Sequence, residues 1–518
     1  MKLMRSLSKS KLLAYRQCPK RLWLEVHRPD LRADSAATQA SFAVGHDVGA
    51  LARELYDPER TGTLIDVDKE GFRGALDRTR RLVASSTTPI FEAGFAAGGA
   101  LAFADILLPD ATQGHRGWRM VEIKASGSVK PYHHDDAAIQ HFVATQAGAP
   151  LTRVAIGHID TTWVYPGDGR YAGIFVEEDL TEEARSRAPE VRRWITDAQA
   201  IAAQLTCPVR GTGPHCTDPF ECGFLGHCSE PEPTVAHPVR WLPRMQSAAL
   251  LEYLAQPEVQ SLDQVPDALL TERQLRVKEH TLAGTVYFDT AAAAAALARA
   301  PLPALFLDFE TIAFAVPIWA GTRPYQQVPF QYSLHRQAAD GSLGHHSFLD
   351  LTGDDPSRTI AEDLVRECGG DERVVAYNVS FERRCLEYLA ERFDDLREPL
   401  LRIAARLFDL LPVVRDQYYH PMQEGSWGLK SVLPALVPDL SYAKLEGVRD
   451  GGAAPEAYAE AIHPDTLADR KAELERQLLA YCELDTLAMV RLREALLSPA
   501  SDVLIQAQTS RSRSTSTP

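Results

Sequence analysis

No stretch of the 518 residues approaches the roughly 18 consecutive apolar residues that a membrane-spanning helix needs. The opening segment, MKLMRSLSKSKLLAYRQCPKR, lacks the continuous apolar core of a secretory signal. A cytoplasmic protein with no membrane partner is therefore expected. There is no internal repeat, and there is no G-x-x-x-x-G-K-[ST] loop to cradle a nucleotide. A net charge of −15 argues against a protein that coats nucleic acid without specificity. Cysteine is sparse, with eight in the chain, too few for a disulfide scaffold of this length. The remaining composition excludes collagen-like and disordered classes.

What is present is unevenly placed. Residues 1–40 hold nine Lys/Arg against three Asp/Glu, a basic patch in an acidic chain. Four of the eight cysteines fall within 207–228, which reads as metal ligation. Apolar periodicity predicts helices over 7–26, 39–57 and 135–146, and strands over 99–108, 118–124 and 152–159. Residues 206–240 are Cys-, Gly- and Pro-rich and mark a boundary, and 241–300 read as mostly helical. At 301, PLPALFLDFET opens a new α/β region. Strands are expected at 329–335 and 373–377, and helices at 358–368, 381–392, 428–436 and 470–497. The tail from 499 reads as disordered.

Asp105 sits in the apolar strand AFADILL, and Glu122-Ile123-Lys124 follows in a second strand. Glu122 and Lys124 share a strand face because side chains alternate with period two. Two acids and a lysine are what metal-dependent phosphodiester cleavage uses. The acids take Mg²⁺ or Mn²⁺ through hard oxygens, and the lysine steadies the charged transition state. The bland reading of E-x-K is a surface pair. Upstream is His46, and downstream is Gln140. The ordered set His46, Asp105, Glu122, Lys124, Gln140 resembles the RecB-type PD-(D/E)xK nucleases. Ser10, Tyr15, Cys18-Pro19 and Arg21 resemble their iron–sulfur branch, which includes CRISPR-associated and AddB-like nucleases. That resemblance implies His46, Asp105 and Glu122 as metal ligands, a catalytic Lys124 and a nucleic-acid contact at Gln140. Ala144 stands where the family's Gln-x-x-x-Tyr motif has Tyr.

Cys216, Cys222 and Cys228 are spaced to reach one soft metal centre, either zinc or a [4Fe–4S] cluster. No Cys-x₂₋₄-Cys pair of the kind zinc sites favour is present. The resemblance implies an iron–sulfur cluster held by Cys18 with Cys216, Cys222 and Cys228. Cys207 is a fifth candidate. Cys368, Cys385 and Cys482 read as ordinary buried thiols.

Asp308-x-Glu310 lies on one strand face, and Tyr481 and Asp485 share a helix face four residues apart. Asn378 and Glu382 fall between them. Gathered carboxylates are repulsive without cations, and a two-metal site relieves this. The set, with GSWGLKSVLPAL at 425–436, resembles the DnaQ-like exonucleases of RNase H fold. That resemblance implies metal ligands at Asp308, Glu310, Glu382 and Asp485, a water-orienting Tyr481, and nucleic-acid contact at Asn378. Glu382 stands where those enzymes usually carry Asp.

The whole resembles a prokaryotic fusion family, over about 5–498. It implies an α/β chain with a restriction-endonuclease-like nuclease domain at 1–235 and a helical linker at 236–300. A DnaQ-like domain at 301–498 and a tail at 499–518 complete it. Arg273, Arg276 and Lys278 in the linker are either phosphate contacts or a solvated face. The expected function is a metal-dependent nuclease acting on DNA, single-stranded or at ends. RNA stays open, since neither motif set reads the 2′-hydroxyl. Any strand unwinding would have to come from a partner, such as a helicase in a repair or defence assembly. The alternatives are a nucleic-acid-binding scaffold with degenerate sites and a structural cluster, or an iron–sulfur redox protein.

Overall fold

Pro19 has no N–H and biases Cys18 away from helical geometry. The helix expected over 7–26 is accordingly two, Lys9–Gln17 (α1) and Pro19–His27 (α2), with Cys18 extended between them (φ −160°, ψ 121°). This is seen in a computed structural model that describes residues 6–110, 117–230, 235–256 and 258–498. The tail expected to be disordered lies outside the described residues. The chain divides into two units, 1–233 with 314–326, and 234–313 with 327–518. Residues 236–300, read above as a linker, thus fall within the second unit.

In the first unit, strands Leu7–Ser8 (β1), Thr63–Leu64 (β2), Ile90–Ala97 (β3), Ala100–Asp110 (β4), Gly117–Lys124 (β5), Leu151–Ile159 (β6) and Phe175–Asp179 (β7) form one mixed sheet. The order is β2-β3-β4-β5-β6-β7, with β1 also on β4. Helices Ala36–Tyr56 (α3), Val67–Ser85 (α4), Pro131–Gln146 (α5), Thr181–Ser186 (α6), Ala188–Ala202 (α7) and Leu225–Ser229 (α8) complete it. The pleat sorts β5 between two cores. Trp118 and Met120 join α5 in one, and Val121 and Ile123 join Val48 and Ala52 of α3 in the other. Glu122 and Lys124 therefore fall on the α5 side. The segment 314–326 also packs here, with Tyr165 N–H donating to Thr322 O (2.9 Å).

The second unit opens with short helices Ala248–Leu254 (α9), Glu272–Ala283 (α10) and Thr290–Leu297 (α11), with Tyr287–Phe288 (β8) before the last. Extended chain and single 3₁₀ turns separate them, so 241–300 is less helical than its composition implied. A five-stranded sheet follows, ordered β11-β10-β9-β12-β13. Its strands are Ala304–Ile312 (β9), Val328–Gln337 (β10), Leu343–Leu349 (β11), Arg373–Ala376 (β12) and Leu407–Asp409 (β13). The first three are antiparallel, and β12 and β13 run parallel to β9. Helices Ser357–Glu367 (α12), Ser380–Arg392 (α13), Arg397–Ala405 (α14), Leu410–Gln417 (α15), Leu429–Leu436 (α16), Ala453–Ile462 (α17) and Ala468–Leu497 (α18) surround it, with Tyr418–Tyr419 (β14) paired to β8. Two cores lie against β9, one containing Phe306 with Met489 and Leu492 of α18, the other Leu307 with Leu364 and Leu386. No described helix is long and apolar enough to cross a membrane.

Candidate active sites and the cysteine cluster

In the first unit, Ile106 pairs with Val121 in an antiparallel ladder, so the next step brings Asp105 beside Glu122. Asp105 Oδ2 accepts the Ile123 N–H at 2.7 Å. Opposite, Phe91 pairs with Ile106 and Ala93 with Ala104, and Glu92 between them is forced to φ 54°. A non-glycine residue in the left-handed region stores strain, and such strain concentrates at functional sites. Asp105, Glu122, Glu92 and His46 line one cavity of about 460 Å³, with Arg53. His46 is exposed on α3 and lines the same cavity, but among the described residues its ligand atoms and those of the two acids do not all lie within 4.8 Å of one another.

Two lysines fill the other side. Lys124 Nζ lies 2.7 Å from Glu122 Oε1 and 2.5 Å from Asp136 Oδ2. Lys9 Nζ lies 2.5 Å from Glu122 Oε1 and 3.2 Å from Asp136 Oδ1. Burial pulls the Lys124 ammonium down, but Asp136, Glu122 and Asp105 outweigh it, so its pKa is raised. The Lys9 pKa is raised by the same competition, with Asp136 and Glu122 prevailing over burial. Burial pushes Asp136 up, but Lys124 and Lys9 more than reverse this, and its carboxyl stays below the usual range. Asp105 is pushed well above its ordinary value by burial and by Glu122. Gln140 is 1% exposed, and its amide donates to Asp136 Oδ1 at 2.9 Å. It is placed to hold a carboxylate rather than at a surface that a nucleic acid reaches. Lys9, Asp136 and Glu92 were not singled out in the sequence. Lys9 lay unmarked in the basic N-terminal patch, and Asp136 stood one turn before Gln140.

Beside this site runs a groove of about 810 Å³, lined among others by Arg21, Arg32, Lys124, Phe42, Tyr132 and Phe220. Glu25, Asp136 and Glu221 line it too, and its arginines are paired, Arg21 with Glu25 at 3.0 Å and Arg32 with Asp34 at 2.9 Å.

The cysteines converge from both ends of this unit. Cys18 ends α1, and Cys222 N–H donates to Cys216 O at 2.8 Å. Gln17, whose amide donates to His215 O (2.8 Å) and Phe220 O (2.6 Å), pins that loop to the end of α1. Cys207 and Cys228 pack with Cys222 around Leu24 and Phe224. All are free thiols. Burial raises the Cys228 and Cys222 thiols, with Lys20 opposing it at Cys228 and each feeling Cys18 and Cys216. The donor set is soft and mutually close, although among the described residues no three of these sulfurs lie within 4.8 Å of one another.

In the second unit, β9 carries Asp308 and Glu310, the first turn of α13 carries Glu382, and α18 carries Tyr481, Cys482 and Asp485. Asp308, Glu310, Tyr481 and Asp485 line a cavity of about 660 Å³ with Lys430. Ligand atoms of Asp308, Glu310 and Cys482 lie within 4.8 Å of one another. Glu382 is buried with its Oε2 unpartnered, and it acts electrostatically on Asp308. Burial and then Asp485 push Glu310 up to about 8, and burial pushes Glu382 up to about 8. Asp485 rises to about 6 by burial, against the pull of a Tyr442 hydroxyl that donates to Oδ1 and of Lys430. Asp308 is raised well above its ordinary value by burial, then by Asp485, Glu310 and Glu382.

Tyr481 is kept protonated by burial and by these acids. Lys430 Nζ donates to its hydroxyl at 3.2 Å and lies 4.8 Å over its ring. Asn378 is exposed at φ 70° in the turn before α13, its N–H held by Asp409 Oδ1 at 2.9 Å. Cys482, read as an ordinary core thiol, stands 3.7 Å from Asp308 Oδ2. Tyr442 was missed, having no motif around it, and Lys430 was visible only as part of the Gly-Leu-Lys segment. Arg273 and Lys278 pair with Asp416 and Asp267, and Arg276 donates to the Asp416 carbonyl.

Residues 305–428 match a family model described as a domain of unknown function, DUF2779. The matched stretch includes Asp308, Glu310, Asn378 and Glu382, and ends before Lys430, Tyr481 and Asp485. Comparison with curated proteins found no match.

Proposed function

We propose that the chain is a metal-dependent nuclease that hydrolyses DNA phosphodiester bonds, on single strands or at ends, with an exonuclease site in the second unit. The observation that carries this reading is the gathering of Asp308, Glu310 and Asp485 around Tyr481 and Lys430, with buried Glu382 acting on Asp308 from behind. Buried carboxylates that repel one another are a costly way to fill a core and a good way to hold hard divalent cations. Those four acids would hold Mg²⁺ or Mn²⁺. Such ions, when bound, activate a water and offset phosphate charge. The Tyr481 hydroxyl, protonated and held by Lys430, orients the attacking water, and the Lys430 ammonium attracts a phosphate oxygen. The sheet of three antiparallel and two parallel strands accommodates an RNase H-like architecture.

The first unit supplies a second cleaving site. Asp105 and Glu122, with His46 on the cavity wall, would hold the ion there, and Lys124 faces the phosphate. Cys18, Cys216, Cys222 and Cys228 would hold a [4Fe–4S] cluster, zinc being the alternative, that closes the N-terminus onto residues 216–228. A second reading, a DNA-binding scaffold, is favoured by one feature. Lys9 and Lys124 already neutralise Glu122 and Asp136, so these two acids are balanced without a metal.

The test is cleavage of end-labelled single- and double-stranded DNA, and of RNA, with Mg²⁺ or Mn²⁺. Anaerobically purified wild type, Lys124→Ala, Asp308→Ala and the double variant are compared. Each single variant is expected to remove its own product ladder. Wild type that binds DNA and cuts neither strand supports the scaffold.

A further inference from the structure

The geometry points to a further metal site in the second unit, apart from the acids of its cavity. His335 and His345 with Glu483 form a seat for a borderline transition-metal ion such as Zn²⁺, fastening the β10–β11 hairpin to α18. His335 and His345 face each other across the ladder, with ring centroids 4.5 Å apart. One ligand atom from each histidine and one from Glu483 lie within 4.8 Å of one another.

The protons of the surrounding network are set by counting. The Thr486 hydroxyl lies 3.1 Å from the Glu483 carbonyl oxygen, and a carbonyl only accepts, so Thr486 donates there. Thr486 Oγ1 must then accept from its other two neighbours, the Ser333 hydroxyl (2.7 Å) and His335 Nδ1 (2.8 Å). Ser333, having spent its proton, accepts from His345 Nε2 at 2.9 Å. Every contact now holds one proton, and both tautomers follow from the network. His335 Nε2 and His345 Nδ1 are left with lone pairs. Metal-binding histidines are oriented in this way, the second ring nitrogen donating to a fixed acceptor. Ser333 and Thr486 are fully buried, so the orienting layer is rigid.

His345 Nδ1 then stands 3.7 Å from Glu483 Oε1, two acceptors with no proton between them. Among the described residues no Lys or Arg pairs with Glu483, so a cation is what the pair lacks. Neutral imidazoles with one carboxylate are a zinc donor set that leaves a fourth position open. The side chains must draw in to ligand–ligand distances of roughly 3.4 Å. His345 and Glu483 are exposed and free to do so.

The adjacent His346 serves as an internal control. The pleat turns it to the other face, where its Nε2 meets Asp363 Oδ2 at 2.7 Å. Asp363 is already paired with Arg366 and hydrogen-bonded by Tyr332, so that cluster is satisfied without an ion.

The site is independent of the nuclease reading, and its test needs no activity. Full-length protein stripped by chelator is loaded with Zn²⁺, desalted and assayed for zinc per chain. The cysteines and acids elsewhere contribute equally to every variant. His345→Gln and Glu483→Gln are each expected to hold one zinc fewer than wild type and to lose part of the zinc-induced rise in melting temperature. His346→Gln is expected to match wild type. Ser333→Ala is expected to keep the equivalent but bind it roughly 10–100-fold more weakly. Equal zinc in all variants overturns the proposal, as does a loss confined to His345→Gln or shared by His346→Gln.

Discussion

Glu122 and Asp136 in the first unit are each bridged by two ammonium groups, Lys9 and Lys124. Asp308, Glu310 and Asp485 in the second unit line a cavity with one lysine among the described residues, Lys430, and it is engaged with Tyr481. The pKa directions record the difference. Asp136 is held below the usual carboxyl range, whereas Glu310, Glu382 and Asp485 rise to about 8, 8 and 6. Glu122 and Asp136 are neutralised by their own lysines, although Asp105 beside them is raised by burial and by Glu122, and the second cluster is left to protons or metal ions. Neutralising an acid should therefore act in opposite directions in the two units.

The largest effect is expected from Asp308→Asn. Losing a metal ligand exceeds a 1 Å misplacement, so cleavage by the second unit should fall by more than about 10²-fold. The metal-free protein should nonetheless melt at a higher temperature, because one repelling carboxylate is gone. A lower metal-free melting temperature would break the comparison. Glu122→Gln should do the reverse to stability. It leaves Lys9 and Lys124 with Asp136 as their one ion-paired acid and Asp105 acting from farther off, and breaking a buried pair costs about 3–5 kcal/mol. Denaturant unfolding of the first unit reads this directly.

pH sharpens the contrast further. A carboxyl whose folded pKa lies above its unfolded value binds more protons when folded, so stability falls as pH rises between the two. For Glu310, Glu382 and Asp485 that window opens at the ordinary carboxyl range and closes at about 8. Without divalent ions, the melting temperature of the second unit should drop from about pH 5 to pH 8. Mg²⁺ should flatten the drop, and a flat metal-free profile would contradict the charge imbalance. The smallest effect is that of Tyr442→Phe. Its hydroxyl stabilises ionised Asp485, and a hydrogen bond to a charged group is worth about 1.5–3 kcal/mol. Its loss should move the acidic limb of the pH–rate profile upward by about one unit.

Much of the frame was readable because local periodicity encodes it. The apolar run opening at 301 is β9, and the 470–497 pattern is α18, its caps extended by two residues at most. Strand β11 escaped notice because most of it is exposed, which removes the alternation that marks a strand. β3 escaped because IFEAGFAA mixes apolar and small residues that helix and strand share. At the sites, each motif residue was visible by type, but the groups that set its charge were not. Gln140 was read as a contact to nucleic acid, and its burial against Asp136 arises from the packing of α5 on the sheet.

Spacing alone determined that Glu122 and Lys124 share a strand face and Tyr481 and Asp485 a helix face, since both follow from backbone periods. The density of the cysteines raised the expectation of one soft metal centre, and among the described residues no three of those sulfurs lie within 4.8 Å of one another. Only the tertiary structure brought Lys9 to Glu122 across 113 residues, and Ser333 to Thr486 across 153. It alone put Glu92 in a strained bend facing Asp105. Charge balance and proton placement depend on distances of a few ångströms between remote segments, and a sequence pattern with a period of two or 3.6 residues carries no such distances.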